Sequence, residues 1–224
     1  MKRTLNFITV KGEKEVNNER LMIAVSPPVQ VGGSLFTAVQ LSAISKLLGP
    51  EQKTEMTPFK QFYIEVSAEM EGIVTDNLRS IGLEVNPAGY STKALIACNF
   101  CRGAEDAGLD IAQKLNQAIA GILTPTPLKV GYAGCALGTS EPLLRDIGIV
   151  KMKEKFDIYV GGDPKGIKAS LAELFLTGLS EVEVIQTVMN IIDYYKVHAK
   201  CKEKFSKFLK RISVEELKGV VSNS

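Results

Sequence analysis

Proline and glycine punctuate the N-terminal part of this chain so closely that it can fold only as short strands and helices in alternation. Residues 21–25 are a short apolar run that stops at Pro27-Pro28, and Gly32-Gly33-Ser34 reads as a turn. Leu35, Val39, Ile44 and Leu48 then recur at helical spacing, and Gly49-Pro50 ends the segment. Residues 61–66 are rich in aromatic and β-branched side chains, as strands are. Residues 68–81 read as a second helix stopped by Gly82, and 83–85 as a closing strand. The order is read as strand–helix–strand–strand–helix–strand, a split βαβ plan.

A second segment with its own strands follows. Residues 94–97 are an apolar lead-in to Cys98, and 106–123 predict an amphipathic helix broken by Thr124-Pro125-Thr126-Pro127. Residues 128–132, 147–150 and 156–160 predict strands. Beyond Ser180 the chain reads as mostly helical, with Ser180 and Glu183 spaced as a capping box. The expected class is α+β: a ferredoxin-like half domain over 1–90, then an α/β domain over 91–224 with a helical C-terminus.

Composition narrows the function. The formal charge is only +2 at pH 7, which argues against a nucleic-acid partner. Lysines gather at 151–155 and 200–210, but acidic or apolar positions interrupt both runs, and both read as solvated helix faces. No apolar run approaches the roughly 20 residues of a membrane helix. The start, Met1-Lys2-Arg3-Thr4, leads into Asn6 without the apolar core of an export signal. A cytoplasmic protein with no membrane partner is expected. Four cysteines are too few for a disulfide scaffold in a chain this long, so reduced thiols point to metal or redox chemistry.

Three of the four stand in two short runs, Cys98-Asn99-Phe100-Cys101 and Gly134-Cys135-Ala136-Leu137-Gly138-Thr139. A cysteine pair two residues apart suits zinc, an iron–sulfur cluster or a redox dithiol. Cys135 follows a strand and the Gly131-Tyr132-Ala133-Gly134 turn, where free amides stabilise cluster sulfurs or anions. His198 and Cys201 lie in a lysine-rich helical segment and read as ordinary helix residues, Cys201 as a small buried apolar group.

These runs, with Pro127-Leu128-Lys129-Val130-Gly131, Asp146-Ile147-Gly148-Ile149-Val150 and Tyr159-Val160-Gly161-Gly162, resemble sirohaem-dependent sulfite and nitrite reductases, above all their small single-chain members. Gly32-Gly33, Met56-Thr57 and Gln61 resemble the ferredoxin-like half domain of that family, and Phe208-Leu209-Lys210-Arg211 its C-terminal tail. The resemblance implies a sirohaem/4Fe-4S-type reductase domain over 91–224. The family's four-iron–four-sulfur cluster is held by a C-x5-C pair and a C-x3-C pair, the last cysteine bridging to sirohaem. Cys101 matches the second position, Cys98 the first across a shortened loop, and Cys135 the third. The fourth falls on Thr139, whose hydroxyl is a poor ligand for cluster iron.

The resemblance further implies that Gly134 and Thr139 border the cofactor. Lys60, Lys93 and Lys129 fall where the family sets basic residues around sirohaem carboxylates and the anion, with Lys93 and Lys129 as the catalytic pair. Lysine lacks the bidentate fork of the arginine often found there. The expectation is a redox protein that reduces a small oxyanion with electrons from a donor protein such as a ferredoxin, and that can pair as a homodimer. The alternative is a non-catalytic relative that binds a tetrapyrrole, an anion or a protein partner. A third reading is a zinc or thiol-switch module built on Cys98 and Cys101.

Overall fold

The computed structural model describes residues 20–165 and 167–221; the expectation drawn from Met1-Lys2-Arg3-Thr4 lies outside them. The chain is α+β, and its described residues form two sheets. The first has the order β2-β3-β1-β4 and every neighbour antiparallel. Its strands are β1 (Arg20–Ser26), β2 (Glu55–Met56), β3 (Phe62–Ser67) and β4 (Glu84–Pro87), with α1 (Ala38–Leu47) and α2 (Glu71–Ser80) between them. Chain order and sheet order together are those of a split βαβ unit. Its core joins Ile23 and Val25 of β1, Ile64 and Val66 of β3, Val85 of β4 and the buried faces of α1 (Ile44) and α2 (Val74, Leu78). β2 is only two exposed residues, with no apolar run to announce it.

Helix α1 starts three residues later than the apolar spacing suggests. Thr37 Oγ1 accepts the Gln40 N–H and Gln40 Oε1 accepts the Thr37 N–H, a reciprocal cap that fixes the start. Leu35 is thereby left outside the helix and exposed.

The second sheet has the order β5-β6-β7-β8-β9. Strands β5 (Ile96–Ala97), β6 (Val130–Ala133) and β7 (Ile147–Met152) run parallel, while β8 (Lys155–Val160) and β9 (Glu173–Leu179) are antiparallel to their neighbours. β9 has no counterpart in the sequence reading. α3 (Leu109–Ile119) connects β5 to β6 and packs with α4 (Glu181–His198). α5 (Phe205–Ile212) and α6 (Val214–Val221) close the chain. α3 begins at 109 rather than 106 because Gly108 has a positive φ, and a Cβ there would meet the Tyr132 hydroxyl at 2.5 Å. Tyr132 Oη donates to the Ala107 and Gly108 carbonyls at 2.9 and 3.1 Å, so the turn before α3 is tied to the middle of the sheet. No helix among the described residues is long and apolar enough to cross a membrane.

The other face of β6 and β7 is cleared by glycine. A 3-10 turn, Pro142–Leu144, lies flat on it. A Cβ on Gly148 would strike the Pro142 carbonyl oxygen at 2.3 Å, one on Gly131 the Arg145 side chain at 2.7 Å, and one on Gly162 the Arg145 carbonyl at 2.5 Å. The Gly148→Ala variant is expected to lose about 1–3 kcal/mol of stability, as overpacking does. Gly72→Ala, in open space at the first turn of α2, is expected to gain up to about 1 kcal/mol. Urea midpoints at unchanged m-value measure both, and an unaltered midpoint for Gly148→Ala refutes the packing argument.

Candidate functional site

Parallel pairing brings the two cysteine runs to one end of the second sheet. Ile96 pairs with Gly131 and Ala97 with Tyr132, and the Cys98 N–H continues the ladder to the Tyr132 carbonyl at 3.0 Å. Both chains then turn. The Gly134 N–H points at Cys98 Sγ, 3.3 Å away. Gly134 cannot be replaced without strain, because its Cβ would meet the Ala107 carbonyl oxygen at 2.7 Å. Amides donated to a thiolate stabilise its charge, as at cluster sulfurs.

The three thiols differ in exposure. Cys98 is buried, Cys135 half-buried and Cys101 exposed. Phe100 explains the difference: it holds a left-handed φ of 52°, is itself buried, and stacks on Tyr132 with centroids 6.1 Å apart. Anchoring Phe100 turns the next residue outward. Thr139 is exposed, in a turn where the Gly138 N–H bonds the Cys135 carbonyl at 3.2 Å. Among the described residues no three His, Cys, Asp or Glu side chains are gathered so as to hold a metal ion. The N-terminal unit reaches this end too: the Gly32 N–H donates to the Asn99 carbonyl at 3.0 Å, inside the first cysteine run.

Cys135 and Gly134 open on a hollow of about 720 Å³ that also includes Arg102, Lys151 and Lys153. Leu137 and Met152 add exposed apolar walls. These cations were invisible to sequence reasoning. The 151–155 run is no helix face: it forms the β7–β8 hairpin, in which Lys153 takes a positive φ and Lys151 is buried, its Nζ donating to the Asp106 carbonyl at 3.0 Å. The strand tendency of 147–150 and 156–160 was the available signal, since two strands so close in sequence leave room only for a hairpin.

Lys93 and Lys129 sit at the opposite end. Thr92 bridges Leu128 in parallel, so the two lysines stand side by side where β5 and β6 begin. Lys129 and Gly134 are five residue steps apart along β6, about 16 Å. The lysines therefore meet each other and not the cysteines. They line a separate cleft of about 530 Å³. Lys60 is exposed, has a φ of 60°, and borders a third cavity of about 30 Å³ with Ser26, Glu84 and Ala97. His198 is exposed and stacked on Tyr194, at 4.0 Å between centroids. Cys201, read as a buried apolar group, is exposed instead, because it falls in the turn after α4 rather than on a helix face.

With this geometry in view, the likeness to known proteins is specific. The nitrite and sulphite reductase 4Fe-4S domain family matches residues 89–224. The chain belongs to this family. The assimilatory-type sulfite reductase of Nitratidesulfovibrio vulgaris is 24% identical over 213 residues, covering 92% of this chain and 95% of that protein. The cobalt-factor III methyltransferase of Priestia megaterium is 28% identical over 190 residues, 85% of this chain but 35% of the methyltransferase. The nitrite reductase [NAD(P)H] of Bacillus subtilis is 22% identical, over 69% of this chain and 20% of its own length. The chain thus spans about a third or less of the last two relatives and nearly all of the first. Among solved structures, dissimilatory sulfite reductase I superposes with a TM-score of 0.69 at 12% identity, over 91% of this chain and 69% of that one. The Mycobacterium tuberculosis NirA protein gives 0.58 at 17%, over 88% and 39%. Both establish the nitrite/sulfite reductase fold.

One group at the lysine end titrates unusually. Asp146 Oδ2 accepts the Lys129 N–H at 2.8 Å and lies 3.9 Å from Lys129 Nζ. Burial pushes its carboxyl up to about 6, against the opposing pull of Lys129. A carboxyl with a raised native pKa binds its proton more tightly folded than unfolded. Its ionisation therefore costs stability, progressively from about pH 4 to about pH 6, and in full above that. Asp146→Asn removes this cost. Relative to wild type, the variant is expected to gain on the order of 3 kcal/mol between pH 4 and pH 7, since two units are worth about that much. Parallel pH–stability curves for the two proteins would overturn the assignment.

Proposed function

We propose that this chain is a redox protein that holds an iron–sulfur cluster at the ends of β5 and β6 and acts with a tetrapyrrole on a small oxyanion. The observation that carries this reading is the meeting of the two cysteine turns, with the Gly134 amide on Cys98 Sγ, at the mouth of a cation-bearing hollow. The residue types suit a cluster, three thiols on two neighbouring turns with an amide aimed at Cys98, while among the described residues the three sulfurs are not gathered around one point. Cys98, Cys101 and Cys135 would hold it, and Thr139 leaves the fourth position to solvent or a small molecule. Bound there, a cluster supplies single electrons and a sirohaem supplies an iron for the anion.

The chain's own residues do the rest. The Gly134 N–H offsets thiolate charge. Arg102 and Lys153 offer cations to macrocycle carboxylates or to the anion, as charge-assisted hydrogen bonds require. Leu137 and Met152 supply apolar surface for a macrocycle face. Exposed Cys101 marks where an electron donor such as a ferredoxin would approach.

A non-catalytic tetrapyrrole-binding role is the second reading. Exposed Thr139 at the fourth position favours it. So does the relative named for methyl transfer to cobalt-factor III rather than for reduction. Sirohaem binding without anion-dependent oxidation of a reduced dye would decide for this reading.

Anaerobic reconstitution with iron and sulfide tests the cluster. Cys135→Ser is expected to abolish the visible absorption, Cys201→Ser to leave it intact, and Thr139→Cys to slow its loss in air. Colour lost in Cys201→Ser but kept in Cys135→Ser would mean that other residues are the ligands.

A further inference from the structure

The cleft at the starting ends of β5 and β6 is unused by this function. It lies between the first sheet and the C-terminal helices, and its 530 Å³ is within the range of small-molecule sites. Five lysines line it: Lys93, Lys129, Lys165, Lys202 and Lys204. Among the described residues two lining carboxylates oppose them, and both have partners. Asp146 is held by Lys129. Asp163 accepts the Ser206 hydroxyl at 3.0 Å and the Lys165 N–H at 3.4 Å. The cleft therefore carries surplus positive charge.

Lys93 concentrates that surplus. It is 2% exposed, and its ammonium has one hydrogen-bond acceptor among the described residues, the Gly89 carbonyl at 2.7 Å. Two of its three donors remain for a ligand. Burial pushes its pKa below the ordinary lysine value, as expected for a cation without a carboxylate. Aromatic rings supply the other half of the site. Lys93 Nζ stands 5.7 Å from the Tyr63 ring centre and Lys202 Nζ 5.7 Å from that of half-exposed Tyr90. Phe59 adds a third ring. Among the described residues no arginine lines the cleft, and its lysines act as point charges, one of the modes in which proteins bind phosphate.

We propose that this cleft is a second ligand site, separate from the thiol end, for a molecule that joins a flat aromatic ring to a phosphate group. The cations hold the phosphate, and Tyr63 and Tyr90 hold the ring.

Pyridoxal 5′-phosphate is a suitable probe, because it has the ring, the phosphate and an aldehyde. A cleft lysine Nζ adds to the aldehyde and water leaves, and added borohydride reduces the imine to a stable secondary amine. On the full chain, peptide mapping is expected to find about one label per chain on Lys93 or a neighbouring cleft lysine. Pyridoxal without the phosphate is expected to label that position at least tenfold less. Tyr90→Ala, at an exposed ring, is expected to weaken probe binding about tenfold, in line with stacking on aromatic side chains. Cys135→Ser is expected to leave labelling unchanged, which separates this site from the thiol end. Label spread over exposed Lys46, Lys53 and Lys207, or equal labelling by pyridoxal, or full binding by Tyr90→Ala, would each overturn the proposal.

Discussion

The parallel pairing of β5, β6 and β7 is the constraint from which the rest of the molecule follows. Parallel strands must be joined by crossovers, so all their C-terminal ends meet at one edge and all their N-terminal ends at the other. At one edge this sets Cys98 against Gly134 and Cys135. At the other it sets Lys93 beside Lys129. The chain therefore has two chemical poles about 16 Å apart along the strands. Glycine makes the pairing compatible with a close cover: Gly131, Gly148 and Gly162 leave no side chain where the 142–145 segment crosses.

The first unit is tied to this sheet by hydrogen bonds with little slack. Asn116 is 2% exposed and sits on α3. Its amide donates to Glu84 Oε2 of β4 at 2.7 Å, and its carbonyl accepts the Leu95 N–H at 2.8 Å, just before β5. Burial raises the Glu84 pKa, while the Asn116 bond pulls it back. Breaking such a contact leaves a buried polar group without a partner, which costs more than the bond's net worth. The same junction positions both poles, since β3 carries Tyr63 into the lysine cleft and Gly32 reaches the cysteine loop.

Local signals were read correctly where a few neighbouring residues decide the outcome. Ser180 and Glu183 form the expected cap, at 2.7 Å for the Ser180 N–H and 3.4 Å for the Glu183 N–H. The Thr37 and Gln40 cap is the same device with glutamine, and it starts α1 later than the apolar spacing by itself implies. The lysine run at 151–155 was misjudged because charge pattern does not distinguish a helix face from a hairpin, and only strand pairing does. β9 escaped because its exposure follows no clean alternation and its pairing with β8 is irregular.

Most element types, the breakers, the three candidate thiols and the likeness to nitrite and sulphite reductases are determined by the sequence alone, because each is a matter of residue identity and short-range spacing; β2, β9 and the 151–155 hairpin are the exceptions. The company each residue keeps was decided by the tertiary structure. The family resemblance sets Lys93 and Lys129 near sirohaem carboxylates and the anion, and the pairing of β5 with β6 puts both lysines at the strand ends opposite the cysteines. Arg102 stands beside Cys135 although α3 and β6 separate them in the chain, and Lys151 and Lys153 although the 142–144 turn and most of β7 do. Which end of a strand a side chain serves depends on strand direction, and direction is set only when strands pair.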